Sequence, residues 1–159
     1  MRHLLTDHWS ARRAFPASAM RAIGEKIGEQ EKRHGGELRF AIEASLPLPQ
    51  VLRGRDARSR AVELFGQLRV WDTEHNSGVL IYLLLADKRV EIIADRGIHG
   101  KVGDAAWTDI CGDMQRAFAA GRYEQGVGLG VSQISDLLAA HFPQREGDAN
   151  ELPDEPIVL

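Results

Sequence analysis

The chain has 159 residues, of which 43% are hydrophobic and 27% charged, a balance that fits one globular domain and is too apolar for a disordered chain. Twenty basic against 23 acidic residues leave a formal net charge of -3, which argues against a broad nucleic-acid surface. The single cysteine, Cys111, excludes an intramolecular disulfide and any cysteine-built metal cage.

From the start, Met1 to Trp9 lacks the apolar core of a secretory leader, and His8 and Trp9 are expected to fold back on the core. Pro16 suits a first helical turn, and Met20, Ile23 and Ile27 recur at spacings of three and four, predicting a helix from Pro16 to His34. Gly35 and Gly36 stop it. From Glu37 to Ala44 the period changes: Leu38, Phe40 and Ile42 alternate with Glu37, Arg39 and Glu43, as in a strand. Pro47 and Pro49 end that strand and open a basic loop. Arg12 and Arg13, and the set Arg53, Arg55, Arg58 and Arg60, are read as solvated faces.

A second helix is predicted over Asp56–Trp71, its stripe running Ala57, Ala61, Leu64, Phe65, Leu68 and Trp71. Val79–Leu85 is apolar on both faces, the mark of a central strand covered on each side. A tight turn at Ala86–Arg89 returns the chain as an antiparallel neighbour, Val90–Ala94. Asp104 is read as the N-cap of a third helix bearing Trp107, Ile110, Cys111, Met114 and Phe118. The last helix, Tyr123–His141, aligns Val127, Val131, Ile134 and Leu138. Residues 1–142 therefore read as one α/β domain with a helical lead-in, and 143–159 as a polar, acidic tail that either frays or docks.

The first strand, second helix and second strand form a crossover unit, so these two strands should run parallel. That topology places the start of the second strand beside the end of the third. It gathers Asp72, Glu74, Asn76, Asp95, Arg96, His99 and Asp104 onto one rim. Several carboxylates in reach of one another repel unless a cation or arginine intervenes, which suits Ca²⁺ or Mg²⁺ on Asp72, Asp95 and Asp104. Glu74, Asn76 and His99 would contact a ligand, and Arg96 could pair a phosphate. The alternative is structural: a helix cap, turn chemistry and charges paired across loops.

Gly126, Gly128 and Gly130 lack the preceding strand and following Lys-Ser/Thr of a phosphate loop, and read as close-packing positions. Cys111 lies on an apolar stripe as an inert thiol. No zinc spacing and no serine elbow are present.

The run Trp71–Tyr82, then Val90-Glu-Ile-Ile-Ala-Asp-Arg-Gly97, then Phe118-Ala-Ala-Gly-Arg-Tyr-Glu-Gln-Gly126, resembles the TPM domain family. The resemblance spans Gly35 to His141 and implies a three-layer α/β/α sandwich with a short mixed sheet. It also implies a site at Asn76, Asp95 and Asp104. Members include thylakoid-lumen proteins linked to photosystem repair, with acid phosphatase activity and divalent-cation binding among plant members, and bacterial envelope proteins. Two functions follow as expectations. One is a non-enzymatic, cation-dependent module for an envelope or membrane-protein partner. The other is a metal-assisted phosphatase in which Asp95, Arg96 and Asp104 are catalytic. No organic cofactor is expected. The longest apolar run, Val79–Ala86, is far short of the ~20 residues that span a bilayer, so a soluble, cytoplasmic protein is the default, reaching the inner face of a membrane only through a partner.

Overall fold

The computed structural model describes residues 8–159; Met1–Asp7, part of the segment read above for a leader, lies outside them. The elements run α1 (His8–Ala14), α2 (Ala17–Glu31), β1 (Glu37–Glu43), α3 (Leu48–Leu52), α4 (Ala57–Gln67), β2 (Gly78–Leu84), β3 (Arg89–Ala94), α5 (Arg96–Val102), α6 (Asp104–Ala119), α7 (Tyr123–His141) and β4 (Ile157–Val158). The strands form one mixed sheet in the order β3-β2-β1-β4. β1 and β2 pair in parallel from Glu37↔Gly78 to Glu43↔Leu84, joined by the α4 crossover, and β3 returns antiparallel to β2.

Each face of the sheet buries its own apolar cluster. On one, Phe40, Ile81 and Leu83 pack against residues of α2, α6 and α7, including Ile27, Met114, Phe118 and Val131. On the other, Leu80, Tyr82 and Leu84 meet Ala57, Ala61 and Leu64 of α4. The result is the expected three-layer sandwich. At roughly 1.5–3 kcal/mol for each large side chain withdrawn from water, these two clusters dominate the folding energy. Two of the α7 glycines, Gly126 and Gly130, serve close packing, against Phe118 and Met114: a Cβ on Gly126 would stand 2.7 Å from Phe118 Cε1, whereas one on Gly128 would meet only the Lys26 side chain at ordinary contact distance. No helix among the described residues is long and apolar enough to cross a membrane.

Several boundaries differ from expectation. The second helix stops at Gln67, because Arg69 adopts a left-handed φ of 54° and turns the chain. Val70, not Trp71, then enters the core, and Trp71 is 48% exposed. α2 ends at Glu31, three residues early, and the basic loop after β1 contains the short α3. The β2–β3 connection is a turn of 3-10 helix closed by Lys88 at φ 49°. Ala11 and Phe15 of the N-terminal segment reach the core, whereas Trp9 stays exposed.

Two differences bear on function. α5 is an additional helix, and its N-cap is Asp95. Asp104, expected to cap the following helix, is instead that helix's first residue. The cap position belongs to Gly103 at φ 81°, and it makes no side-chain cap bond. The tail docks: it folds back so that β4 pairs in parallel with β1 at Ala41 and Ile42.

Docking of the tail also changes the character of β1. Its alternation would ordinarily leave one polar face in water, yet all seven residues are buried. Glu43 receives the Arg60 guanidinium through Nε at 2.9 Å and Nη2 at 3.1 Å, and the Tyr82 hydroxyl at 2.7 Å. Glu37 and Arg39 are covered and hydrogen-bonded by the tail.

Candidate functional site

The rim forms where parallel strands begin and β3 ends. The Glu37 N–H donates to the Ser77 carbonyl at 3.3 Å, and the Asp95 N–H donates to the Gly78 carbonyl at 2.9 Å. These bonds hold the loop before β2 against the α5 cap. That loop is built locally: Ser77 N–H donates to Thr73 Oγ1 at 3.0 Å, and Asn76 takes a left-handed φ of 51°. Asparagine tolerates that conformation because its short polar side chain bonds locally.

Gly97 fixes how tightly α5 meets the loop. A Cβ there would lie well inside 3.0 Å of the carbonyl oxygens of both His75 and Asn76. Only glycine permits this approach, which packs α5 directly against two backbone carbonyls. Asp95, two residues earlier, is half-buried. Its Oδ1 accepts the Arg96 N–H at 2.7 Å, while its Oδ2 is buried and has no hydrogen-bond partner. A buried carboxylate oxygen in this state is costly and rare in folded proteins.

The other expected residues have separate settings. Arg96 is exposed beside Asp95. His99 Nε2 lies 3.4 Å from Asp104 Oδ1, a surface pair in which the Asp104 side chain is 95% exposed. Asp72 is paired with Arg69 Nη2 at 2.6 Å. Glu74 is exposed, and its own N–H donates to Glu151 Oε2 of the tail at 3.0 Å. Topology thus brings Asp95, Arg96 and Asn76 together and pairs His99 with Asp104. It does not gather Asp72, Asp95 and Asp104: among the described residues no group of three His, Cys, Asp or Glu could hold a metal ion. Each carboxylate has its own local partner, and this answers the repulsion that motivated the three-carboxylate set. What the rim does bring close is Gly97 and the His75 and Asn76 carbonyls, a backbone contact that a periodicity search cannot register.

Two further features escaped sequence reading. A cleft of about 570 Å³ runs along β3 between Arg58 and Arg89 at one end and His99 and Asp104 at the other, with Trp107 and Cys111 in its wall. Burial pushes the Cys111 thiol up to about 11, in keeping with an inert thiol. The second feature is a cavity of about 290 Å³ beneath the tail, lined by Glu31, His34, Glu37, Asp148 and Asp154. The His34 ring bonds the Gly36 carbonyl through Nδ1 at 3.2 Å, and burial lowers it to about 4. Glu31 could have been noticed as an acidic residue at the end of an apolar helix stripe, but its burial depends on residues more than 100 positions later.

The TPM domain family matches this chain over residues 12–137. The solution structure of protein BA42 from the psychrophilic bacterium Bizionia argentinensis superposes with a TM-score of 0.81. The two are 30% identical, over 91% of this chain and 95% of BA42. The N-terminal domain of a protein from P. gingivalis shares the fold at a TM-score of 0.63 and 20% identity, over 82% of each chain. No curated protein matches.

Proposed function

Because the chain belongs to the TPM domain family, we propose that it is a non-enzymatic binding module whose rim meets a membrane or envelope protein partner with the help of a divalent cation. The observation that carries this reading is the buried, unpartnered Oδ2 of Asp95, two residues before the close approach of Gly97 to the His75 and Asn76 carbonyls. A hard cation takes oxygen ligands, both carboxylate and carbonyl, and Ca²⁺ accepts irregular sets of them. Asp95 would hold such an ion, with the His75 and Asn76 carbonyls as its backbone donors. Ca²⁺ fits this set better than Mg²⁺, which demands near-octahedral geometry and keeps most of its water.

In this reading the cation ties the α5 cap to the loop before β2. The exposed side chains around it, Arg96, Asn76 and Glu74, then form the contact surface. Recognition through a cation and charged rim groups suits a partner at the inner face of a membrane. Calorimetric titration of Ca²⁺ and Mg²⁺ into the wild type and Asp95→Asn tests it. Binding in the wild type that is lost in the variant supports the module; no binding in the wild type counts against it.

A second reading, metal-assisted phosphomonoester hydrolysis, draws on the exposed Arg96 beside Asp95. A bound cation would polarise the phosphoryl group, and Arg96 would hold it. Cation-dependent turnover of a generic phosphomonoester, lost in Asp95→Asn, would replace the binding reading with this one.

A further inference from the structure

At the end of the sheet opposite the rim, β1 and β2 finish and β3 begins. Exposed apolar and cationic side chains stand together there. The Ala86 N–H donates to the Ala44 carbonyl at 3.0 Å, which ties the β2–β3 turn to the segment leaving β1. That segment runs into α3, where Leu48 and Leu52 lie about one turn apart and share a face; they are 43% and 78% exposed. The Arg55 N–H donates to the Gln50 carbonyl at 3.0 Å and joins α3 to the arginine loop. On the opposite face of the sheet, Trp9 and Arg13 of α1 are also about one turn apart, and Trp9 is 77% exposed.

A belt of cations runs between these two apolar points. Arg13 and Lys88 line one surface hollow with Leu85 and Ala86. Lys88 is followed by Arg89, and Arg89 and Arg58 both reach the Glu91 carboxylate, at 3.0 and 3.4 Å. Their guanidinium groups are therefore neighbours, and each side chain is more than half exposed. Exposed Arg53 continues the belt to α3. Of the acids near it, Glu43, Glu63 and Glu91 are already engaged by arginines. Asp56 is turned onto the Ser59 N–H at 2.8 Å as the α4 cap, while Asp87 and Glu124 are exposed.

We infer that this end of the molecule docks on an anionic lipid surface, with Trp9 and the Leu48–Leu52 face entering the headgroup layer on either side and Arg13, Lys88, Arg89 and Arg58 pairing with lipid phosphates between them.

The arrangement suits a bilayer better than other polyanions or a protein. Indole and leucine side chains settle at the headgroup boundary, and arginine or lysine beside them gains from anionic lipid. A nucleic-acid backbone offers phosphate but nothing to receive Leu48 and Leu52, and the net charge of -3 opposes a long polyanion beyond the belt. Protein interfaces place apolar groups at the centre and charge at the edge. Here the cations are central and the apolar groups flank them. The inference does not rest on the rim: strands of seven residues set the rim about 20 Å away, facing off the lipid.

Flotation of the full chain with phosphatidylcholine vesicles, with and without about a third phosphatidylglycerol, in about 0.1 M salt and excess chelator tests this. The chelator removes any cation from the rim, so the result is independent of that site. Wild-type protein should partition at least about tenfold more strongly to the anionic vesicles. Leu48→Ser with Leu52→Ser, and separately Arg13→Glu with Lys88→Glu, should each weaken binding at least about fivefold. All four positions are exposed, and circular dichroism checks that the fold is kept. Lys32→Glu with Lys101→Glu makes the same charge change at the rim end and should leave binding within about twofold of wild type. No wild-type binding, equal binding to neutral vesicles, an unchanged leucine variant, or equal loss in the rim-end variant would overturn the proposal. Displacement of the protein from vesicles by a short DNA duplex, with the leucine variant unchanged, would assign the belt to nucleic acid instead.

Discussion

Gly97 and Gly100 lie in the same seven-residue helix, and replacing each by alanine separates the close backbone approach at the rim from helix propensity. At Gly100 a Cβ would meet nothing within 4 Å, so Gly100→Ala gains only the intrinsic preference of alanine, up to about 1 kcal/mol of added stability. At Gly97 the same methyl would sit inside 3.0 Å of two carbonyl oxygens and 3.0 Å from the Asn76 carbonyl carbon. Those atoms are backbone, tied through Ser77 to Thr73 and to β1, and cannot swing aside as a side chain would. Overpacking of this kind costs about 1–3 kcal/mol. Set against the propensity gain, Gly97→Ala should be up to about 2 kcal/mol less stable than the wild type, and, because that gain is common to both variants, about 1–3 kcal/mol below Gly100→Ala. Urea unfolding followed by circular dichroism at neutral pH measures both. Equal stability of the two variants would refute the close approach of α5 to the loop.

The Glu43–Arg60–Tyr82 network predicts an asymmetry. Arg60→Met should cost about 3 kcal/mol because it strands a buried carboxylate, whereas Arg60→Met combined with Glu43→Leu should recover most of that loss. A single-variant cost below about 1 kcal/mol in denaturant titration would show the pair to be solvated. Tyr82→Phe removes one hydrogen bond to Glu43 and should cost about 1–2 kcal/mol in the same assay. For Glu37, burial raises the carboxyl from 4.5 to about 7, so its protonated form stabilises the fold. That stabilisation is complete below the unfolded value of 4.5 and is lost as pH rises through 7. Wild-type stability should therefore decline from pH 5 to 9. Glu37→Gln should remove about 3 kcal/mol of that decline, and an unchanged slope would place the titration elsewhere.

The layered order was legible because its signals are local. β2 is apolar on both faces, α7 repeats its valines and leucines at helical spacing, and the helical crossover between β1 and β2 goes with parallel pairing. α5 was hidden by two glycines in seven residues, which weaken any helical pattern. Asp95 caps this added helix, while the next one starts from Gly103 without a side-chain cap. β4 is two residues long and carries no periodicity. The polar face of β1 looked like a solvent face because what covers it, Glu151 to Pro153, lies 114 residues or more further along the chain. Of the rim, the residue set followed from topology, while the separate pairing of Asp72 with Arg69 and His99 with Asp104 depends on side-chain geometry that spacing does not encode.

The most direct test of the rim as a cation site is a Ca²⁺ titration followed through the backbone amide resonances of the uniformly labelled chain. Saturable shifts centred on His75, Asn76, Arg96 and Gly97, abolished in Asp95→Asn, are the predicted result. Shifts centred instead on the acidic tail, or none at any residue, would contradict the assignment of the cation to Asp95.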